Sequence, residues 1–493
     1  RDLRMSRGLG DVYKRQLYCS VQRCNSALRV LNAATDEQVN GRVSRIAEMK
    51  VLRAHYYFEL SRLFNKIPYF DENVEISQYP DIPNNEFTRD EILSMLAKEM
   101  LDAAEQLPAS QPEVGRIHKY IALAYAAKIK LYQAYQQDEI THAVTSINKE
   151  LLREVVSLCD QVTASNRYGL LDDFQGLDLV TNENGKESVF AIQYSMNDGT
   201  ESAGRINWSN LLNSPGGGSP YGGDGFFLPS QDLINAYQTD ANGLPDFNYQ
   251  SKSDYSWAVL NNGVYTLQNT TPNVDPRLDF VVGRPTITWK TYPDKPCEGW
   301  VRDKDTYGYN CAKRFWVSPE SSDMFNGWPW GASQLNWQII RYADILLWKA
   351  EALIELNEGN GLETARDLIN QIRNRARNSA YVKDFNDHSK YAANYLVNPY
   401  PADVWNQDYA RQALRWETRL EKALEGERFF DLVRWGIVET TMNNYITAES
   451  DNRIYYANAH FTGGKDEYYP VPNNQYGFSG GKYVQNPGYA PFN

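Results

Sequence analysis

This 493-residue chain predicts a mostly α-helical protein, in which tetratricopeptide-like helix pairs form a scaffold around one long, loop-rich and partly β insertion. Three observations carry the prediction. Apolar residues recur at three- and four-residue steps in runs near both ends of the chain, which is helix spacing. Residues 195–340 are rich in Gly, Pro, Asn and Trp and hold no such period. The helical runs come in adjacent pairs with alanines where two helices would cross, although no strict 34-residue repeat is kept.

Taken in order, helical text begins at Tyr18 and resumes from about Arg42 to Phe64, where Ile46, Met49, Leu52, Tyr57, Phe58, Leu60 and Leu63 make a broad apolar stripe. Pro68 ends it. Residues 71–87, with prolines, an Asn pair and Tyr79, read as a loop. Thr88 then caps a helix, with Glu91 completing a capping box. Further helices are expected over about Arg116–Tyr135, about Lys149–Ala164, Arg341–Leu356 and Leu362–Arg377. Asn184-Gly185 is a turn ahead of a strand over Ser188–Tyr194. In the stretch Trp416–Trp435, apolar positions Leu420, Ala423, Leu424, Phe430, Leu432 and Val433 keep helix spacing, and Gly426 permits a bend. The charged Glu417, Arg419, Glu425 and Arg428 in that stretch either lock two helices in register or line a solvated face.

A net charge of −12 argues against nucleic acid as a partner and against adsorption to anionic lipid. Five cysteines include no CxxC pair, so a zinc or thioredoxin-like site is not expected; Cys297 and Cys311 could bridge a loop in an oxidising compartment. The five histidines are scattered, and no nucleophile elbow or Walker A loop is present. Gly216–Gly225 reads as a flexible loop and not as a phosphate cradle. With 62 acidic residues, a glycosidase carboxylate pair can always be imagined, so their number decides nothing. No catalytic or metal-binding residues are assigned, and whether calcium assists stays open.

Several motifs resemble the SusD/RagB family of surface nutrient-binding lipoproteins. In the signature near the C-terminus, Glu417, Glu421, Glu425, Gly426, Arg428, Phe429, Asp431, Leu432, Arg434 and Trp435 match, while Thr418 replaces an expected Arg. LRAHYYFELSRLFNKIPYF (Leu52–Phe70), DPRL (Asp275–Leu278), RYADILLWKAEAL from Arg341, EYYPVPNNQY (Glu467–Tyr476) and QNPGY (Gln485–Tyr489) follow the family in order. Residues 1–16 fit no part of the pattern and look like translated adapter sequence ahead of a truncated reading frame. The expected organisation is therefore a non-native leader over 1–16 and a single SusD-like domain over 17–493. Its scaffold covers about 17–166 and 338–446, its insertion about 180–337 and its tail 447–493. The resemblance implies a cell-surface oligosaccharide-binding lipoprotein of the outer membrane, not an enzyme, that delivers its ligand to a SusC-like TonB-dependent transporter. A peptide-binding RagB-like role is the alternative within the fold, and a glycoside hydrolase the alternative outside it.

Sugars offer apolar faces to aromatic rings and hydroxyl edges to polar groups. Eight of the twelve tryptophans fall within residues 200–340, which makes that region the expected binding face. The candidate ligand contacts are Tyr79 and Asn84 in the first loop and Trp257, Trp289, Trp300, Trp328 and Trp330 in the insertion. Trp328-Pro329-Trp330 is the sharpest, because a proline holds two indoles in a glycine-flanked loop.

Overall fold

The computed structural model describes residues 3–492 apart from 202–203, 214–215, 217, 224, 257, 262–263, 268–271, 294–295, 297–298, 303, 309 and 329. The chain is mostly α-helical and divides into two compact units. One comprises Arg1–Asn166, Phe429–Thr441 and Phe461–Asn493; the other comprises Arg167–Arg428 and Met442–His460.

The first unit holds α1 (Leu3–Ala33), α2 (Arg42–Phe64), α3 (Arg89–Gln106), α4 (Lys119–Ala134) and α5 (Lys149–Ala164), each packed on the next. Helix α1 starts well before Tyr18, within the segment read as a non-native leader. Lys14 in that segment is buried, its Nζ 5.2 Å from the Phe64 ring. The capping box forms as the sequence requires: Thr88 Oγ1 accepts from Glu91 N at 3.2 Å, and Glu91 Oε2 accepts from Thr88 N at 2.8 Å. Helix α4 is apolar on nearly every side, with Ala122, Ala124, Tyr125, Ala126, Ala127, Ile129 and Leu131 buried, because neighbours surround it. It stops at Ala134, one residue short of expectation, where β1 (Tyr135–Gln137) pairs antiparallel with β2 (Val144–Ile147).

In the second unit, β3 (Ser188–Ile192) precedes the irregular region and β8 (Trp337–Arg341) follows it. The two are hydrogen-bonded antiparallel, Ser188 opposite Arg341 and Ile192 opposite Trp337. The insertion is thus a closed excursion whose ends are stitched together. Inside it lie the hairpin of β4 (Ala258–Asn261) and β5 (Val264–Leu267), and the short pair of β6 (Val282–Gly283) and β7 (Cys311–Ala312). After it come α6 (Tyr342–Leu356), α7 (Gly361–Asn378) and α8 (Gln407–Glu421), mutually packed. The chain continues into α9 (Arg428–Arg434) and α10 (Val438–Glu449). Between α8 and α9 the chain bends through Leu424 and Gly426, both at positive φ. Cys311 is buried; Cys297, its possible disulfide partner, lies outside the described residues.

The signature carboxylates are buried and not on a solvated face. Glu417 forms ion pairs with Arg277 at 2.7 Å and Arg373 at 3.0 Å. Glu421 meets Arg341 at 2.6 Å, Arg277 at 3.1 Å and also Arg375. Glu425 meets Arg341 at 2.9 Å and Arg314 at 3.2 Å. Glu187 joins the same lattice through Arg341 and Arg375, at 3.0 and 3.2 Å. Burial alone would raise the Glu421 carboxyl, but Arg375, Arg341 and Arg277 outweigh it and hold the group at about 2. Arg277 lies within the insertion and Arg341 at the end of β8 that closes it, so the lattice ties that region to α7 and α8. Thr418, where the family has Arg, returns its hydroxyl to Leu414 O at 2.9 Å instead.

Candidate functional site

Within the insertion, residues 323–334 form a small hairpin. Gln334 N donates to Asp323 O at 3.1 Å, Phe325 N donates to Ala332 O at 2.8 Å, and Met324 bridges Ser333. Trp328 and Trp330 stand at its tip. Trp328 is 61% and Trp330 50% exposed, which is far from ordinary for indoles. Gly331 allows the tip to return: its φ is +72°, and a Cβ there would stand 2.9 Å from Trp316 and 3.3 Å from Tyr221. Trp330 in turn lies over Gly222, where a Cβ would come within 3.3 Å of it. In the Gly-rich loop, Gly216 N donates to Gly222 O at 2.9 Å and Gly218 N to Gly299 O at 3.1 Å.

Beneath the tip is a buried aromatic cluster of Tyr221, Trp289, Trp300 and Trp316. Trp289 and Trp300 stand edge to face at 5.1 Å, and Trp289 Nε1 donates to Tyr221 OH at 2.9 Å. Tyr221 OH donates to Val317 O at 2.7 Å. Trp289 and Tyr221 thus meet each other's polar needs inside the cluster, which forms a packed floor.

The sequence candidates therefore separate. Trp289 and Trp300 are core residues with no ring face left for a ligand. Asn84 is buried and clamps the backbone of Val484, accepting from its N and donating to its O, both at 2.9 Å. Tyr79 is buried too, stacked on Phe70 at 3.9 Å and taking a hydrogen bond from Arg29; it lines a cleft of about 380 Å³ together with Tyr18, Phe70, Phe478 and Tyr483. Trp257 lies outside the described residues. Among the described candidates, Trp328 and Trp330 offer open indole faces.

Two features were not singled out from sequence. Trp208, 47% exposed, follows Asn207, whose N donates to Ser333 O at 2.9 Å, so a third indole stands beside the hairpin stem. Glu183 accepts from Asn336 N at 2.6 Å near the same stem. Burial, helped by the charge of Asp323 and opposed by that N–H, pushes its carboxyl up to about 7. A carboxyl that is half-protonated near neutrality both donates and accepts, which suits hydroxyl ligands. Trp208 had a signal, its place in the Trp-rich stretch; Glu183 had none, because its neighbours come from residues 323 and 336. Among the described residues, no three His, Cys, Asp or Glu side chains are placed to hold a metal ion.

The family model for the SusD family matches residues 186–489. A SusD-like protein of Bacteroides ovatus is 22% identical over 439 residues, which cover 85% of this chain; the chain spans only 64% of that relative's length. A crystal structure of a SusD-like protein from Bacteroides fragilis is similar at a TM-score of 0.66 and 21% identity, covering 97% of this chain and 86% of the other. Surface glycan-binding protein A from Bacteroides thetaiotaomicron, solved with laminarihexaose, is similar at a TM-score of 0.63 and 19% identity, covering 96% and 85%.

Proposed function

Since the chain belongs to the SusD family, we propose that it captures an oligosaccharide at the cell surface on the indoles of the 323–334 hairpin, without cleaving it. The captured chain passes to a SusC-like TonB-dependent transporter, and a lipid anchor holds the protein at the outer membrane. Binding of this kind needs no cofactor. The observation that carries the reading is the pair of exposed indoles, Trp328 and Trp330, standing on a buried aromatic floor. Left open to water, such rings forgo burial worth about 1.5–3 kcal/mol each. A pyranose face restores part of it, and Trp208 beside the hairpin stem adds a further exposed ring. The laminarihexaose complex of the similar surface glycan-binding protein supports a neutral glucan as the first probe.

The test is affinity electrophoresis and titration calorimetry against laminarin, starch, xylan and mannan, with a reducing-sugar assay alongside. Retention by at least one polymer, lost in Trp328→Ala/Trp330→Ala and with no sugar released, is the expected result. Failure of every polymer to bind, or sustained release of reducing ends, overturns it. Delivery is tested separately, by co-purification of a TonB-dependent transporter from native membranes.

A further inference from the structure

The first unit contains a cleft of about 510 Å³, bordered by Arg62 and Leu63 at the end of α2, by Phe429 and Phe430 of α9, and by residues 465–470 with Tyr489. That volume falls in the range of small-ligand sites. Its walls are aromatic rings with cations laid on them. The Arg62 guanidinium lies 4.1 Å from the Phe430 ring, and Lys465 Nζ lies 5.3 Å from the Tyr489 ring. Tyr469 is 42% exposed, and its backbone is pinned where its N donates to Leu63 O at 2.9 Å.

The charges in the cleft are already balanced by protein groups. Arg62 is held by Glu59 at 2.6 Å and Lys465 by Asp466 at 3.2 Å, so no excess cation invites a phosphate or sulfate. The unmet group is an acceptor. Glu467 is 6% exposed, its Oε1 accepts from Gly464 N at 3.0 Å, and its Oε2 meets no donor among the described residues. A buried acceptor with no donor is rare in folded proteins and calls for an explanation. Burial also pushes this carboxyl upward, which makes an added donor more valuable.

We propose that this cleft is a second saccharide site, taking a mono- or disaccharide whose ring lies against Tyr469 and whose hydroxyls are read by Glu467. The inference rests on the glycan-binding reading for the class of ligand, but on no residue of the hairpin. A neutral, hydroxyl-rich ring supplies the apolar face and the donors together, which an anion does not.

The experiment uses the whole chain, with glucose, mannose, galactose and laminaribiose as probes, followed by saturation-transfer NMR and titration. Four proteins are compared: wild type, Trp328→Ala/Trp330→Ala, Tyr469→Ala and Glu467→Gln. The expected result is that binding of at least one small sugar survives in the double-tryptophan variant and weakens about tenfold in Tyr469→Ala, the scale of a lost stacking contact. Glu467→Gln is expected to weaken it as well; if that variant does not fold, Tyr469→Ala decides. Wild-type sugar binding in both cleft variants, with loss in the tryptophan variant, overturns the second site and leaves the glycan reading standing. Absence of small-sugar binding to every protein overturns the second site, while the polymer titrations decide the glycan reading separately. Displacement of the sugars by a pool of lysine-containing tripeptides at lower concentration overturns the saccharide assignment, because an ammonium would then be the donor the cleft selects.

Discussion

The carboxylate-bearing end of α8 and the hairpin of residues 323–334 belong to one unit and reverse the usual placement of their side chains. Glu417 and Glu421 are wholly buried, while Trp328 and Trp330 stand half or more in water. The difference lies in partners. Glu417 and Glu421 each meet two or more guanidinium groups, so burying them leaves little charge uncompensated. The space beneath the indoles is already filled by Trp316 and Tyr221, so nothing in the fold remains to cover them. A side chain's character decides what it needs; its neighbours decide whether the need is met within the chain or by a ligand.

The contrast is tested most severely at Arg341, which ties Glu187, Glu421 and Glu425 together. Arg341→Ala should destabilise the protein by about 3–5 kcal/mol, since it strands buried carboxylates. Denaturant unfolding measures this, and a loss well under 1 kcal/mol would mean that the lattice does not hold the unit. Trp300→Ala should also cost about 3–5 kcal/mol of stability, as the truncation of a buried ring does. Trp328→Ala or Trp330→Ala should instead weaken glycan binding by about 1–3 kcal/mol. Their effect on stability should stay within about 0.5 kcal/mol, as at other exposed positions. Calorimetry beside thermal melts separates the two classes, and an equal stability loss at both pairs would erase the distinction between floor and platform.

Acid and base should act on the two regions in opposite directions. Glu421 is held at about 2, below its ordinary 4.5. Its contribution is therefore complete above pH about 4.5 and is lost as pH falls toward 2. Glu183 is raised to about 7, so the fold binds its proton more tightly than the unfolded chain does. Its contribution is present below the ordinary value and is lost as pH rises through 7. Melting temperature against pH should thus fall on both limbs, and Glu183→Gln should flatten the neutral limb alone. The smallest effect is expected in the first unit, where Thr88→Ala removes the cap of α3 at about 1 kcal/mol without touching binding.

Where structure is local, the amino-acid sequence was enough. Thr88 and Glu91 announce the start of α3 because both partners of the cap lie within one turn. The stripe of α2 and the alanines of α4 declare their buried faces because helix period is a property of the nearest few residues. The resemblance located the signature carboxylates but left their environment open between an interhelical lock and a solvated face. Their partners explain why: Arg341 is 80 residues from Glu421, and Arg277 is 144 residues away.

The candidate site was legible only in outline. Trp289, Trp300, Trp328 and Trp330 are the same residue type in the same irregular stretch, and composition ranks them alike. Trp208 was passed over although it stands beside the hairpin stem. What the sequence by itself determined was the helical class, the helix caps and the position of the irregular excursion, since these depend on periodicity and on neighbours a few residues apart. Which indoles face water, which carboxylates are buried, and that Glu183 titrates near neutrality were decided by tertiary structure alone, because each depends on groups brought together from distant parts of the chain.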